Sequence, residues 1–278
     1  MTLPQFYVDD LIKEALLEDI NYIDMTTDYL IPEDAAGDAY YLAKADGVLC
    51  GIDVAMRVFQ LLDPAFTCEV RIHDGEAVKC GDTIAVMHGN TRALLKGERT
   101  ALNIVQHMSG IATATRRCAA ILEGTKSVIA DTRKTLPGLR PLQKYAVACG
   151  GGRNHRYNLS DAVMIKDNHI DACGSIAGAV EKIRGKIGHT VKVEVEARTL
   201  DEVQEALGAG ADIIMLDNMD HGTMQQAVAM IGGRALTEAS GNITEENLKA
   251  LRDIGVDIIS SGALTHSVKA FDISMKMA

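Results

Sequence analysis

Basic residues are concentrated between residues 131 and 169, in a chain that is otherwise acidic. Seven Lys or Arg side chains stand there against three Asp, whereas the whole chain has a formal net charge of -10. The cations are Arg133, Lys134, Arg140, Lys144, Arg153, Arg156 and Lys166. Arg presents a planar fork that fits carboxylates and phosphates, and Lys supplies a point charge for phosphates. The stretch therefore predicts a site for a small polyanion rather than an ordinary solvated face.

Glycine and histidine interrupt this basic stretch, which we expect to be largely a loop. Residues 150–152 are all glycine, and His155 follows between Asn154 and Arg156. Glycine loses more conformational entropy on folding than any other residue, so successive glycines indicate that the backbone approaches something closely. His155 fits a ligand of the anion, although a hydrogen-bonded core histidine would give the same pattern. His169 fits a group that supports the binding residues, and a hydrogen-bonded core histidine fits it equally well.

Six short apolar runs rich in β-branched residues recur from residue 127 onward and alternate with stretches of helical spacing. The runs cover residues 127–130, 162–165, 191–195, 212–216, 234–237 and 257–260. Near-continuous apolar strands separated by helices predict a parallel sheet whose outer face is covered by those helices.

Polar residues follow each of these runs. They are Arg133 with Lys134, Lys166, Glu196, Asp217, residues 238–241, and Ser261 with Gly262. In a barrel of parallel strands the carboxyl ends of all strands meet at one mouth, where active sites are built. We therefore expect these residues to converge. Because fewer than the eight strands of a closed barrel are recognisable, the expected architecture is an open, incomplete α/β barrel of the TIM type.

The N-terminal part of the chain has a different pattern. Short strands at residues 40–45 and 67–72 precede turns marked by Asp-Gly at 74–75 and Gly-Asp at 81–82, as in a compact α+β module. The predicted domains are an N-terminal α+β sandwich-like domain over residues 1–108, the barrel over residues 109–266, and a C-terminal tail, 267–278, that is able to pack back on the first domain. The turns also resemble a lipoyl or biotin carrier domain, but the exposed hairpin lysine of a carrier has no counterpart.

Composition argues against several classes of protein. Aromatic residues make up 4% of the chain, Trp is absent and the net charge is negative. We therefore expect no nucleic-acid partner, because the chain has few side chains that could stack on bases and no excess of cations that could neutralise phosphates. No apolar run approaches the ~20 residues of a membrane span and no signal pattern opens the chain, which predicts a cytoplasmic protein without a membrane partner. Six cysteines are scattered without a Cys-x-x-Cys pair, which argues against zinc and against a disulfide framework.

Long motifs in the chain closely resemble those of the quinolinate phosphoribosyltransferases, also called carboxylating nicotinate-nucleotide pyrophosphorylases. Between residues 131 and 267 they read DTRKT, PGLR, CGGG, NHR, LSDAV, IKDNHI, VEVE, ADIIMLDN, EASGNI and ISSGALTHS, and upstream GERTALN begins at Gly97. The resemblance covers nearly the whole chain. Its departures are Leu136 in place of a threonine and residues 21–23 in place of a glycine-containing turn, and neither touches a charged site position.

The resemblance implies an enzyme with an N-terminal sandwich-like domain and an open α/β barrel, active as a homodimer or higher homo-oligomer with shared sites. It implies transfer of phosphoribosyl from phosphoribosyl pyrophosphate to quinolinate, with release of pyrophosphate and carbon dioxide, usually with Mg²⁺. The product would be nicotinate mononucleotide, in the de novo synthesis of NAD. The implied substrate-binding residues are Thr132, Arg133, Lys134, His155, Arg156 and Lys166, with Arg99 reaching in from the neighbouring subunit.

The chemistry of this reaction assigns further roles. Glu196 and Asp217 are the acids placed at the mouth by both strand spacing and resemblance, so they are candidates to stabilise positive charge on the ribose and to bind Mg²⁺. With Lys134 and Lys166 they form the predicted catalytic group. Turns between strands and helices present free N–H groups to phosphate. The residues expected to bind the 5-phosphate in this way are Ser240, Gly241, Asn242, Ser261, Gly262 and Ala263.

Two other functions fit some of the same residues. Lys166 follows a barrel strand, as the Schiff-base lysines of aldolases do, but the other cations of the basic stretch suit a polyanion better than a lysine with a lowered pKa. An altered-substrate paralogue, of the type associated with molybdate transport, is the alternative within the family. The retained cations and acids of the predicted site argue against it.

Overall fold

The structure is a computed structural model that describes residues 3–278. It divides into two compact units, the first comprising residues 3–116, 136–151 and 267–278, and the second comprising residues 117–135 and 152–266. Residues 109–116 and 136–151 thus group with the first unit, although the sequence analysis assigns them to the barrel domain. Within residues 3–278, no helix is long and apolar enough to cross a membrane.

Strands and helices are numbered in chain order. The strands are β1 (Ala36–Ala43), β2 (Gly47–Val48), β3 (Thr67–Val70), β4 (Ala77–Val78), β5 (Thr83–Asn90), β6 (Val128–Ala130), β7 (Val163–Ile165), β8 (Val193–Ala197), β9 (Ile213–Asp217), β10 (Leu236–Ser240), β11 (Ile258–Ser260) and β12 (Ile273–Met277). The helices are α1 (Gln5–Ile20), α2 (Met25–Leu30), α3 (Ile52–Leu62), α4 (Thr91–Ile121), α5 (Arg140–Cys149), α6 (Asp167–Cys173), α7 (Ile176–Arg184), α8 (Leu200–Gly208), α9 (His221–Ile231), α10 (Glu245–Leu251) and α11 (Ala263–His266).

The first unit is built on an antiparallel sheet of order β12-β1-β5-β3, with β2 and β4 paired separately. Alternate residues of β1 are buried, which gives the sheet one apolar face. Tyr41 on this strand meets Phe59 of α3 edge to face, with ring centroids 6.4 Å apart, and Phe59 stacks on Phe66 at 5.3 Å. Helix α3 therefore packs on the sheet through its aromatic side chain.

The second unit contains a parallel sheet of order β6-β11-β10-β9-β8-β7. Within the described residues no pairing joins the edge strands β6 and β7, so the sheet is open. This arrangement, together with the antiparallel sheet of the first unit, confirms the predicted fold class. Polar caps start the crossover helices: Ser175, Thr199, Asp220 and Thr244 each accept a backbone N–H in the first turn of α7, α8, α9 and α10. These caps fix where each helix begins after its strand.

Two details of the sequence analysis are wrong. Strands β8, β9 and β10 extend further than predicted, so Glu196, Asp217 and residues 238–240 lie within the strands rather than after them. The apolar runs alone could not show this, because the polar ends still pair with neighbouring strands. The basic stretch also contains a helix that the sequence analysis did not predict, since α5 occupies ten of its residues and buries Leu142, Ala146 and Val147 together with Gln143 and Lys144.

Candidate active site

A cleft of about 470 Å³ opens at the carboxyl ends of the parallel strands in the second unit. Predicted site residues that line it are Thr132, Arg133, Lys134, His155, Arg156, Lys166, Glu196, Asp217 and Ser240. The other lining residues are Met164, Met215, Asn218, Glu238 and Ser260. The structure therefore gathers cations, acids and hydroxyl groups from separate loops and strand ends into one cleft.

Alternation along the strands decides which side chains reach the cleft. Residues two apart on a strand point to the same face of the sheet. In β9 the pair Met215 and Asp217 lines the cleft, and in β10 the pair Glu238 and Ser240 does so. The strands thus carry a polar residue at the rim and a second residue one layer deeper.

Arg133 and Arg156 form a cationic wall of the cleft. Both side chains are half-buried, and burial, followed by the charge of Arg133, lowers the pKa of Arg156. Arg156 Nη1 donates to the carbonyl oxygen of Ala162 at 2.8 Å, which orients the guanidinium. A cation whose pKa is lowered by burial and by a neighbouring cation is typical of a functional site.

Hydrogen bonds fix the tautomer of His155. Its Nδ1 accepts from the backbone N–H of Arg156 at 2.7 Å, so the ring proton lies on Nε2. Nε2 stands 3.2 Å from Glu194 Oε2 and 3.5 Å from Glu238 Oε1. The backbone N–H of His155 donates to Asp131 Oδ1 at 2.8 Å. His155 therefore lines the cleft, as predicted for a ligand, while its ring nitrogens are hydrogen-bonded to protein, as in a core histidine.

Two buried carboxyl groups lie beneath His155. Glu194 is 2% and Glu238 is 1% exposed, and His155 Nε2 and one oxygen from each carboxyl group lie within 4.8 Å of one another. Burial, reinforced by the charge of Glu194, raises the pKa of Glu238 to about 7. This cluster therefore holds a titratable proton near neutral pH, which is typical of functional sites.

Ion pairs order the acidic side of the cleft. Lys166 Nζ donates to Glu196 Oε2 at 2.7 Å. The Arg198 guanidinium donates to the Asp167 carboxylate and lies 3.9 Å from both Glu196 Oε1 and Asp217 Oδ2. The hydrogen bond from Arg198 is the main reason that the pKa of Asp167 lies below its usual range. One cation thus joins three carboxylates at the strand ends.

Glu196 and Asp217 fit the donor set expected for Mg²⁺. Their oxygens approach one guanidinium from two strands, so they converge on a single cationic position. Mg²⁺ prefers oxygen ligands and is usually bound through one or two carboxylates together with substrate phosphates and water. The residues present therefore suit the predicted ion.

Left-handed backbone conformations mark the turn after β10. Gly241 has φ 105°, Asn242 has φ 51° and Asn218, which follows β9, has φ 52°. A Cβ atom on Gly241 would lie 2.2 Å from Asn218 Oδ1, so this turn accepts only glycine. Non-glycine residues with positive φ are costly and cluster at functional sites. The predicted phosphate-binding turn Ser240-Gly241-Asn242 thus has the left-handed backbone conformations that are typical of functional loops.

The second predicted phosphate-binding segment follows β11. Ser261 is buried, and its hydroxyl donates to the carbonyl oxygen of Ile243 at 2.9 Å. A Cβ atom on Gly262 would lie 2.8 Å from Cδ of Lys134. The missing side chain therefore lets Lys134 lie across the turn, and Ala263 begins α11 directly after it.

Seven of the residues considered in the sequence analysis are not among those that line the cleft: Arg99, His169, Gly241, Asn242, Ser261, Gly262 and Ala263. Arg99 is exposed on α4 of the first unit. His169 Nδ1 accepts from the backbone N–H of Lys166 at 3.0 Å and closes the first turn of α6. His169 therefore orders the backbone of Lys166, which matches the supporting position considered for it.

The sequence analysis missed Glu194 and Arg198 as members of the site, and it placed Glu238 at the mouth without giving it a role. A signal was present for the first, because Glu194 precedes Glu196 by two residues and so shares its face of the strand. Glu238 was recognised only as a residue near a strand end. Arg198 carried no comparable signal, because its role comes from three carboxylates that other segments bring to it.

Two family models together match most of the chain. The one described as the N-terminal domain of quinolinate phosphoribosyl transferase matches residues 24–109. The one described as the C-terminal domain of the same enzyme matches residues 111–276.

Individual relatives agree with these matches. The chain is 46% identical over 265 residues to a probable carboxylating nicotinate-nucleotide pyrophosphorylase of Bacillus subtilis, across 95% of this chain and 91% of the relative. It is 44% identical to the chloroplastic carboxylating nicotinate-nucleotide pyrophosphorylase of Arabidopsis thaliana, across 99% and 84%. The crystal structure of NadC from Streptococcus pyogenes has a TM-score of 0.97 at 43% identity, across 100% and 99%. The chain belongs to the quinolinate phosphoribosyl transferase family.

Proposed function

We propose that this protein joins quinolinate to phosphoribosyl pyrophosphate and removes one carboxylate, giving nicotinate mononucleotide, pyrophosphate and carbon dioxide. The observation that carries the proposal is the cleft that Arg133 and Arg156 line together with the acids Glu196 and Asp217. Polyanionic substrates need such cations, and positive charge developing on the ribose needs such acids. Relatives named for this activity support the assignment, which places the reaction in the de novo synthesis of NAD.

The cationic wall is suited to quinolinate, which carries two adjacent carboxylates. The planar forks of Arg133 and Arg156 match carboxylates, and Lys134 and Lys166 add point charges from the rim. Thr132 Oγ1 accepts the backbone N–H of Lys134 at 2.9 Å, which holds the start of this segment. His155 bounds the floor of the same pocket. Together these groups would fix the ring nitrogen toward the ribose.

Transfer of the phosphoribosyl group breaks the bond from ribose C1 to the pyrophosphate oxygen and forms a bond from C1 to the ring nitrogen. The leaving pyrophosphate keeps the electron pair of the broken bond, and positive charge develops at C1. Glu196 and Asp217 are placed to stabilise that charge. Lys166 and Arg198, now paired with these acids, are placed to receive the leaving pyrophosphate.

Loss of the carboxylate follows from the charge on the new nucleotide. After transfer the ring nitrogen is positively charged, so it accepts the electron density left when the bond from ring C2 to the carboxylate carbon breaks. Carbon dioxide leaves and a proton takes its place on C2. The protein's part is to hold the ring and to keep the remaining carboxylate paired with the arginines.

We assign Mg²⁺ to Glu196 and Asp217. When bound, the ion would neutralise charge on the pyrophosphate and so improve it as a leaving group. The two turns Ser240-Gly241-Asn242 and Ser261-Gly262-Ala263 are assigned to the 5-phosphate, because small residues let backbone N–H groups approach phosphate oxygens.

The geometry favours neither of the other functions considered. An imine-forming lysine must present a free amine to a carbonyl group, whereas Lys166 Nζ donates a hydrogen bond to Glu196 Oε2 at 2.7 Å. A paralogue with an altered substrate has no observation in its favour, because the cations and acids required for quinolinate transfer share the cleft.

Comparison of quinolinate with nicotinate tests the proposal. Nicotinate lacks one carboxylate and would leave part of the cationic wall without its anion, at a cost of roughly 2 to 5 kcal/mol, or roughly 30-fold or more in kcat/KM. The assay mixes the protein with phosphoribosyl pyrophosphate, Mg²⁺ and either acid, and follows nucleotide and carbon dioxide. Turnover of nicotinate at a rate similar to that of quinolinate would contradict the proposal.

We also propose that the protein works as a homodimer or higher homo-oligomer, with Arg99 completing the site of a neighbouring subunit. Arg99 is exposed on α4, so it is available to a second chain. Arg99→Ala should lose activity while the protein folds normally, and Arg71→Ala, an exposed arginine of the same unit, serves as the control. The cytoplasmic location stays a prediction from the sequence.

Mixed oligomers decide whether Arg99 acts across the interface. Arg99→Ala and Lys166→Ala are each expected to have little activity at substrate concentrations that saturate the wild type, but a mixed dimer has one site in which both residues are intact. Activity should therefore return when the two variants exchange subunits. A mixture that demonstrably exchanges and stays as inactive as its parents shows that Arg99 does not act in this way.

A further inference from the structure

Two thiols and a carboxylate meet in the first unit. Cys50 lies just before α3, Asp74 lies in the turn between β3 and β4, and Cys149 ends α5. Cys50 Sγ, Cys149 Sγ and an oxygen of Asp74 all lie within 4.8 Å of one another. The two cysteines are far apart in the sequence, so the missing Cys-x-x-Cys pair says nothing about this cluster. The sequence-based argument against zinc therefore does not apply to it.

Asp74 is anchored by one oxygen and directs the other at the thiols. Its Oδ1 accepts the backbone N–H groups of Gly51 and Ile52 at 2.8 and 3.0 Å. Its Oδ2 lies 4.0 Å from Cys50 Sγ. Carboxylates that bind metal ions are commonly held in this way by further hydrogen bonds. The second oxygen of Asp74 is thus in position to bind an ion together with the thiols.

Other contacts hold the three segments in place. Arg116 Nη2 lies 3.4 Å from the carbonyl oxygens of both Gly75 and Cys149, so one guanidinium joins the turn that carries the carboxylate to the end of α5. The backbone N–H of Cys50 donates to Ser109 Oγ at 2.9 Å. The ligand atoms are therefore preorganised by their surroundings, as a metal site requires.

We infer that Cys50, Asp74 and Cys149 form a binding site for a thiophilic divalent cation, with Zn²⁺ as the biological candidate. In a tetrahedral Zn²⁺ site the Zn–S distance is ~2.3 Å, so two sulfur atoms stand ~3.8 Å apart. The ligand atoms of the cluster lie within 4.8 Å of one another, a spacing close to this separation. Two thiolates with one carboxylate prefer zinc-like ions to Mg²⁺ or Ca²⁺, which take oxygen ligands.

The surroundings of the thiols agree with this assignment. Hydrogen bonds link Cys149 to Cys50 and to Tyr145, so the two sulfur atoms already lie in contact. On binding, each thiol releases its proton to solvent as its sulfur–metal bond forms, and no electrons are transferred. The remaining tetrahedral position is left for water.

A cleft of the first unit gives an ion access to the cluster. It has a volume of about 430 Å³ and is lined by Asp74 and Tyr145, with Asp53 adding a further negative charge. Cys50 is fully buried and Cys149 is half-buried. An ion that enters this cleft therefore reaches the carboxylate first and is enclosed by the sulfur atoms.

Cd²⁺ is the probe for the test, because thiolate–Cd²⁺ bonds give an ultraviolet charge-transfer band. The full-length protein is reduced, freed of metal with a chelator and titrated with Cd²⁺. We expect one ion per chain. Cys50→Ser and Cys149→Ser should each lose this band, whereas Cys80→Ser, which removes an exposed cysteine of the same unit, should keep it. Asp74→Asn should weaken binding, because it keeps an oxygen for the backbone but removes the charge.

A measurement on the unaltered protein guards against variants that fail to fold. Zn²⁺ should protect Cys149 from iodoacetamide while Cys80 remains reactive, and it should raise Tm, because only the folded state brings the three ligands together. Transferase activity provides the folding control, since the inference does not rest on that activity. A band that survives in both Cys50→Ser and Cys149→Ser, or the absence of both band and protection, overturns the inference.

Discussion

Glu238→Gln should stabilise the protein at high pH and lose this advantage as the pH falls. Glu238 is buried, and its pKa is raised from 4.5 to about 7 by burial and by the charge of Glu194. Between these two values the folded protein binds more protons than the unfolded chain, so the free energy of unfolding falls as the pH rises. At 1.36 kcal/mol per pKa unit the effect is about 3 kcal/mol above pH 7. Glutamine has nearly the same shape and carries no charge, so the variant escapes this loss.

Thermal unfolding of both proteins at pH 5 and pH 8 measures the effect. For a chain of this length the entropy of unfolding makes 3 kcal/mol equal to a Tm difference of about 5 °C. The Tm of Glu238→Gln relative to that of the wild type should therefore rise by about this amount between pH 5 and pH 8. Glu181→Gln, which alters an exposed glutamate of α7, is the control and should show no such trend. A difference that is constant with pH, or that falls toward pH 8, refutes the explanation.

Three further changes test other parts of the site. Borohydride added with substrate should trap no adduct at Lys166, because its amine is paired with Glu196, and Lys166→Ala should raise the substrate concentration needed; a covalent adduct would favour the imine alternative. Gly241→Ala should reduce activity at least tenfold, because the new Cβ would lie 2.2 Å from Asn218 Oδ1. The control Gly188→Ala should have nearly wild-type activity, because a Cβ at that position meets nothing within 4 Å. Equal activity of the two variants would contradict the role assigned to the turn. Arg198→Lys should retain more activity than Arg198→Ala, since a cation still reaches the carboxylates; equal loss in both would show that charge alone does not explain its role.

The sequence predicted the sheet of the second unit better than it predicted the ends of its strands. The apolar runs are long enough to mark each strand, and the residues after them contain most of the cleft lining. The exact end of β10 was missed because Glu238 is polar yet buried, a combination that a hydropathy pattern scores as surface. Helix α5 was missed for a related reason, since its fully buried Lys144 and its neighbouring glycines imitate a charged loop.

The sequence patterns could not predict contacts between residues that lie far apart in the chain. The thiol cluster of Cys50 and Cys149 joins segments that share no local motif, and its carboxylate comes from a turn that the analysis used only to identify a hairpin. Arg198 likewise becomes part of the site only because β8 and β9 and the start of α6 bring acids to it. Residue types and spacing fix what a segment can do, but the fold decides which segments meet.

Without substrates, the acids and cations at the strand ends of the active site form ion pairs with one another. Lys166 and Arg198 hold Glu196 and Asp217 in place, so these acids do not repel each other at the strand ends. An incoming pyrophosphate can form ion pairs with Lys166 and Arg198, while the two acids interact with the ribose and with Mg²⁺. Each ion pair that is lost is therefore replaced by another. At the cationic wall, burial and then the charge of Arg133 lower the pKa of Arg156, and an anion bound there would relieve this effect. The largest electrostatic gain on binding should therefore fall at this wall, where the substrate with two carboxylates is distinguished from the substrate with one.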